Sequence, residues 1–90
     1  MLHLRRAQQA DLETVLELIR GLADYEKLLH EVDATLVDLQ AALFAEHPRV
    51  FCEIAEWNGQ SAGFALWFYN FSTFRGRHGL YLEDLFVKPE

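Results

Sequence analysis

Two adjacent carboxylates, Glu83 and Asp84, sit inside the apolar run Tyr81-Leu82-Glu83-Asp84-Leu85-Phe86-Val87. In a regular strand successive side chains point to opposite faces, so the two acids would not share one. A carboxylate half-buried among such neighbours is costly unless it is partnered or protonated. Desolvation raises its pKa, which is how a glutamate becomes a useful base near neutral pH. The alternative is that one or both acids reach solvent, or pair with Arg75, Arg77 or Lys88.

A second group of acids lies earlier. Residues 11–38 hold eight acids (Asp11, Glu13, Glu17, Asp24, Glu26, Glu31, Asp33, Asp38) against two bases, Arg20 and Lys27. Most fit a solvated helix face. Tyr25-Glu26 stands apart, because an aromatic face beside a carboxylate can seat an ammonium group. The aromatic stretch Phe68-Tyr69-Asn70-Phe71-Ser72-Thr73-Phe74 reads either as spare core or as a cleft wall for the methylenes of an alkyl amine. The four histidines, His3, His30, His47 and His78, have no metal-ligand spacing. The single cysteine, Cys52, lies in an apolar run and reads as a buried small hydrophobe. There is no Gly-rich phosphate loop, no zinc pattern and no Ser/His/Asp arrangement.

Composition narrows the partners. With 14 acids against 8 bases the net charge is −6, which argues against a nucleic-acid backbone or a basic membrane-surface helix and suits a cationic small molecule. The longest apolar run, Phe64 to Tyr69, is far below the ~20 residues of a membrane helix. The start Met1-Leu2-His3-Leu4-Arg5-Arg6 lacks a long apolar segment, so no signal peptide is visible and a reducing, cytoplasmic location is expected. Hydrophobic residues make up 51% of the 90, enough for one small core.

These side chains must be positioned by an α+β arrangement of order β-α-α-β-β-β, an α/β sandwich. Residues 2–6 read as a strand. Asp11–Leu29 reads as an amphipathic helix capped by Asp11, its inward face made of Leu12, Val15, Leu16, Ile19, Leu22 and Ala23. Thr35–Ala45 reads as a second helix, with Thr35 and Asp38 spaced as a capping box and Leu36, Leu39, Ala42 and Leu43 facing inward. His47-Pro48 is read as its stop. Val50–Trp57 and Gln60–Phe71 read as strands joined by the hairpin turn Asn58-Gly59. The second is apolar on both faces, the mark of a strand covered on both sides, and Gly63 within it signals a bulge or close backbone approach. Residues 70–79 read as a loop and Leu80–Val87 as a last strand, too apolar to be an exposed edge. The pattern is that of a fold cut in half.

With these stretches in view, the chain resembles the N-terminal half of a GNAT-superfamily acetyltransferase, and more narrowly the diamine (spermidine/spermine) and thialysine N-acetyltransferases. The resemblance rests on Arg5-Arg6-Ala7 with Asp11, on Leu18 to Lys27, on Glu46-His47-Pro48 and on Gly63-Phe64-Ala65. It continues through Tyr69-Asn70-Phe71-Ser72-Thr73-Phe74 and Leu80 to Val87. It implies a GNAT fold whose sheet is mixed and mainly antiparallel in this half. It implies an N-acetyltransferase that uses acetyl-CoA as co-substrate on a primary amine of a small polyamine, diamine or lysine-like molecule, with no metal. Glu83 matches the family's catalytic glutamate, which also lines the amine site. Tyr25 and Glu26 match residues that contact the amine, and Leu85, Phe86 and Val87 match the strand whose backbone meets acetyl-CoA. Residues 1–90 would form the N-terminal half of one domain, without the pyrophosphate-binding loop. The chain alone is then expected to be inactive, and a homodimer or pairing with a C-terminal-half chain is expected; the alternative is a non-catalytic fragment, or an assembly or amine-binding piece that needs a second chain. The run Arg75-Gly76-Arg77-His78-Gly79 and Phe74 depart from the polyamine-acetylating pattern, where Trp is frequent at the latter position.

Overall fold

In a computed structural model of the protein, which describes residues 1–88, the elements are β1 (Leu2–Arg6), α1 (Leu12–Tyr25), α2 (Leu36–Phe44), β2 (Phe51–Trp57), β3 (Gln60–Ser72) and β4 (Arg77–Val87). The order agrees with the sequence reading. The strands form one sheet in the order β1-β2-β3-β4, with all three pairings antiparallel. Among the described residues β4 is therefore an outer strand with one side unpaired, the open edge that made its apolar sequence read as part of a fold cut in half.

Both helices pack on one face of the sheet. The core joins Val15, Leu16 and Leu18 of α1, Leu39 and Leu43 of α2, Cys52 and Ile54 of β2, Phe64 of β3, and Ala7. Leu18, only 2% exposed, was absent from the helix face read from the sequence. It is buried because α1 presents apolar side chains both to the sheet and to α2. Leu36 and Ala42 are less enclosed than read; Leu39 and Leu43 carry the contact.

Helix ends are set by local hydrogen bonds. At α2, Thr35 Oγ1 accepts from the Asp38 N–H at 3.2 Å and the Asp38 carboxylate accepts from the Thr35 N–H at 3.0 Å, the expected box. The helix stops at Phe44, with Ala45 already extended, so Pro48 follows an end made before it. Asp11 does not cap α1 with its side chain. Its carboxylate is held by Arg5 through two bonds of 2.7 and 2.8 Å and accepts the Gln8 N–H at 2.7 Å. Those bonds hold its pKa below the usual carboxylate value, the Arg5 bond contributing most. Glu56 reaches the same guanidinium at 3.3 Å, so β1, β2 and the entry to α1 share one charge cluster.

The turn at Asn58-Gly59 has positive φ at both residues, 52° and 84°, as the hairpin requires. The segment expected as a loop over 70–79 is mostly strand. β3 and β4 continue pairing to Ser72 and Arg77, leaving a turn of four residues, Thr73–Gly76. The sheet face opposite the helices carries no layer among the described residues. There Phe51 stacks on Trp67 with ring centroids 4.6 Å apart, Tyr69 meets both edge-on, and Arg6 lies over the pair at 5.3 and 5.6 Å. Glu53 ties this group together, accepting from Arg6 Nε at 2.9 Å and from the Trp67 indole N–H. The apolar second face of β3 is thus an aromatic patch rather than a covered layer.

Candidate active site

The register between β3 and β4 slips at the paired acids. Leu66 faces Asp84 and Trp67 faces Leu82, which leaves Glu83 with no partner on β3. This is a β-bulge, with one extra residue on β4. It breaks the alternation expected of a regular strand. Asp84 pairs with Leu66, whose side chain packs against the core, while Glu83 is exposed. The carboxylate that burial lifts is therefore that of Asp84. Its pKa is raised by desolvation first, then by the negative charges of Glu83 and Glu26. Glu83 is not in an apolar pocket, and no salt bridge joins either acid to Arg75, Arg77 or Lys88 among the described residues.

Glu26 comes close enough to Asp84 to influence it because α1 ends early. Its last residue is Tyr25, not Leu29. Lys27 turns to φ 62°, the Lys27 N–H donates to the Asp24 carbonyl at 3.0 Å and the Leu28 N–H donates to the Ala23 carbonyl at 2.7 Å. This is a Schellman ending, made here with a lysine in the left-handed region that glycine ordinarily fills. It turns the chain away just after Tyr25-Glu26 and leaves Tyr25 75% exposed at the helix end.

A cleft of about 320 Å³ lies between that helix end and β4, lined by Leu22, Tyr25, Leu85, Phe86 and Val87. It brings Tyr25 together with all three β4 residues singled out in the sequence. Glu26, the residue after Tyr25, is not in the lining, although its charge acts on Asp84; Glu83 is outside the lining as well. Phe86 seats its ring against Gly21, where an added Cβ would lie 3.1 Å from the ring, which accounts for a glycine inside the helical pattern. Gly63 fulfils its signal on the other side of β4: an added Cβ there would sit 2.3 Å from the Phe86 carbonyl oxygen.

The aromatic stretch 68–74 does not wall this cleft. Phe68 packs on Tyr81 at 5.1 Å, Phe71 meets His78 edge-on at 5.1 Å, and Phe74 stands 99% exposed at the turn. Cys52 is a buried free thiol whose pKa is pushed up to about 12 by burial, the small hydrophobe expected of it. The sequence offers both acids and the resemblance gives a role to Glu83 alone; the bulge that half-buries Asp84 and exposes Glu83 comes from pairing, which the adjacent acids do not reveal.

No protein-family model matches the chain. It is 38% identical over 95 residues to thialysine N-epsilon-acetyltransferase of Bos taurus, covering 97% of this chain and 55% of that protein. It is 34% identical over 91 residues to spermidine/spermine N(1)-acetyltransferase-like protein 1 of Homo sapiens, covering 93% of this chain and 13% of that protein. The chain thus spans about half the length of the thialysine relative. Among solved structures, an aminoglycoside acetyltransferase from an uncultured soil metagenomic sample superposes with a TM-score of 0.76 at 18% identity, over 98% of this chain and 57% of that one. That likeness is one of fold. In sequence over nearly all its length and in fold over its described elements, the chain resembles about half of a GNAT N-acetyltransferase of the thialysine and spermidine/spermine kind.

Proposed function

We propose that these 90 residues are the N-terminal half of an acetyl-CoA-dependent N-acetyltransferase that acts on a primary amine of a small polyamine, diamine or lysine-like substrate. The observation that carries the reading is the cleft in which Tyr25 meets Leu85, Phe86 and Val87, with Glu26 and Asp84 beside it. Its apolar lining suits methylenes, and the carboxylates beside it attract an ammonium group. Alternate backbone groups on the outer side of β4 have no strand partner among the described residues, so Leu85–Val87 can receive an extended amide-bearing arm such as that of acetyl-CoA.

An alkylammonium with a pKa near ~10 cannot attack a thioester until it loses a proton. In this reading Glu83, exposed at the bulge, takes that proton through water. The neutral amine attacks the thioester carbonyl, the oxyanion is met by a backbone N–H of β4, and the thiolate leaves without a covalent enzyme intermediate. The activity belongs to a protein of the relatives' length, cytoplasmic and working as a homodimer or with a C-terminal-half chain; the 90 residues alone are expected to be inactive.

The test is thiol release from acetyl-CoA by the full-length protein, with spermidine, a short diamine and thialysine supplied in turn. Release that depends on added amine supports the proposal. Amine binding with no release would make the protein a polyamine-binding module instead. Glu83→Gln should abolish turnover while acetyl-CoA binding persists, and an unchanged rate across pH would remove Glu83 from the base role.

A further inference from the structure

Gly21 stands one helical turn before Tyr25 on α1, on the side of the helix that meets β4. Glycine is a poor helix former, so an alanine here would favour the helix itself. The reason for the glycine is the ring of Phe86. An added Cβ would lie 3.1 Å from Phe86 Cε2 and 3.3 Å from Cζ, closer than ordinary van der Waals contact, so the ring must give by a few tenths of an ångström.

Phe86 has one direction in which to give. Its backbone is fixed by pairing with Phe64 and by the close approach at Gly63. Its side chain packs against the buried core on the helix side of the sheet. Beyond the ring lies the cleft of about 320 Å³ that Phe86 lines with Leu22, Tyr25, Leu85 and Val87. Volume added at position 21 is therefore passed through the ring into the cleft. The same contact sets the spacing of the two elements that bound it, because Tyr25 shares α1 with Gly21 and Leu85 and Val87 share β4 with Phe86.

We propose that Gly21 is a positioning residue for the amine cleft: by giving the Phe86 ring a seat in α1 it keeps the cleft wide, and so fixes the girth of the alkyl stem that enters. The inference rests on the reading of this cleft as the amine site. With Gly21 the cleft takes amines whose stem carries a branch or a ring as well as linear ones. A side chain at position 21 narrows it to linear stems. One methylene more or less in an apolar pocket is discriminated by about 10–200-fold, so a displaced ring is a large change.

The test uses the full-length protein and two diamines of equal charge and carbon count, hexamethylenediamine and diaminocyclohexane. Each is titrated calorimetrically without acetyl-CoA and assayed by thiol release with it. In Gly21→Leu the ratio of cyclic to linear Kd should rise at least tenfold. The same shift should appear in KM, with kcat for the linear diamine kept within about twofold. Gly21→Ala should move the ratio the same way by a smaller factor while its Tm holds or rises, and it decides the matter if Gly21→Leu does not fold. Phe86→Leu added to Gly21→Leu should restore the ratio. An equal loss for both diamines, which a merely loosened helix would give, overturns the proposal. So does an unchanged ratio, or an unsubstituted protein that binds neither diamine. Binding with the expected size dependence but no thiol release leaves the role of Gly21 standing and removes the acetyltransferase reading. Amine-dependent release with a ratio that position 21 does not move does the reverse.

Discussion

Gly63→Ala tests how β4 is held against the rest of the sheet. Gly63 is buried opposite Val87, and its added Cβ would lie 2.3 Å from the Phe86 carbonyl oxygen and 3.1 Å from Val87 Cα. The obstacle is backbone, so no rotamer change relieves it. About 1 Å of strand separation is needed, in a ladder spaced at ~4.8 Å, and that breaks hydrogen bonds where Phe86 meets α1. Overpacking costs about 1–3 kcal/mol in general, and a backbone clash belongs at about 3 kcal/mol. A domain of this size has roughly 5–13 kcal/mol in all. The Tm should fall by about 12–24 °C, at ~4–8 °C per kcal/mol for a domain this small. Urea unfolding followed by circular dichroism, with thermal melts, measures both. Gly59→Ala is the control: its Cβ meets nothing within 4 Å, and only its φ of 84° opposes alanine, at about 1 kcal/mol. If Gly63→Ala melts within a few degrees of the parent chain, the close approach does not hold β4 in place and the reasoning fails.

Other expected outcomes concern charge. Asp84 has a raised carboxyl pKa in the folded chain, so its ionisation opposes folding as pH rises above the unfolded value of 3.8. Asp84→Asn should therefore gain stability over the parent at pH 7 and lose that advantage toward pH 3; a difference flat with pH would contradict the burial argument. Asp11 has the opposite sign. Its stabilisation is present above 3.8 and lost as pH falls through its lowered folded value, so Asp11→Asn should cost about 1 kcal/mol at pH 7 and little in acid, by denaturant titration. Cys52, buried with its thiol pushed up to about 12, should react with a thiol reagent only at the rate of global unfolding; rapid modification of the native chain would refute that.

Much of the fold is written in local pattern. Apolar residues recurring at three and four steps specify α1, Thr35 with Asp38 specifies the start of α2, and Asn58-Gly59 specifies the hairpin, because each acts through neighbours within a few residues. Tyr25, Glu26 and Leu85–Val87 could be named from the sequence for the same reason: their types and resemblance are local facts. What tertiary structure decided depends on pairing between distant segments. The bulge that exposes Glu83 and half-buries Asp84 exists only in the register of β4 against β3, and no property of residues 81–87 alone selects it. The extension of the hairpin through residues 70–79 arises because two weak strand formers gain each other as partners. Leu18 is buried because two elements cover α1, and Gly21 is tolerated because Phe86 occupies the notch it leaves. Side-chain type and spacing set which chemistry is available; the long-range ladder of hydrogen bonds sets which carboxylate leaves water and which stays in it.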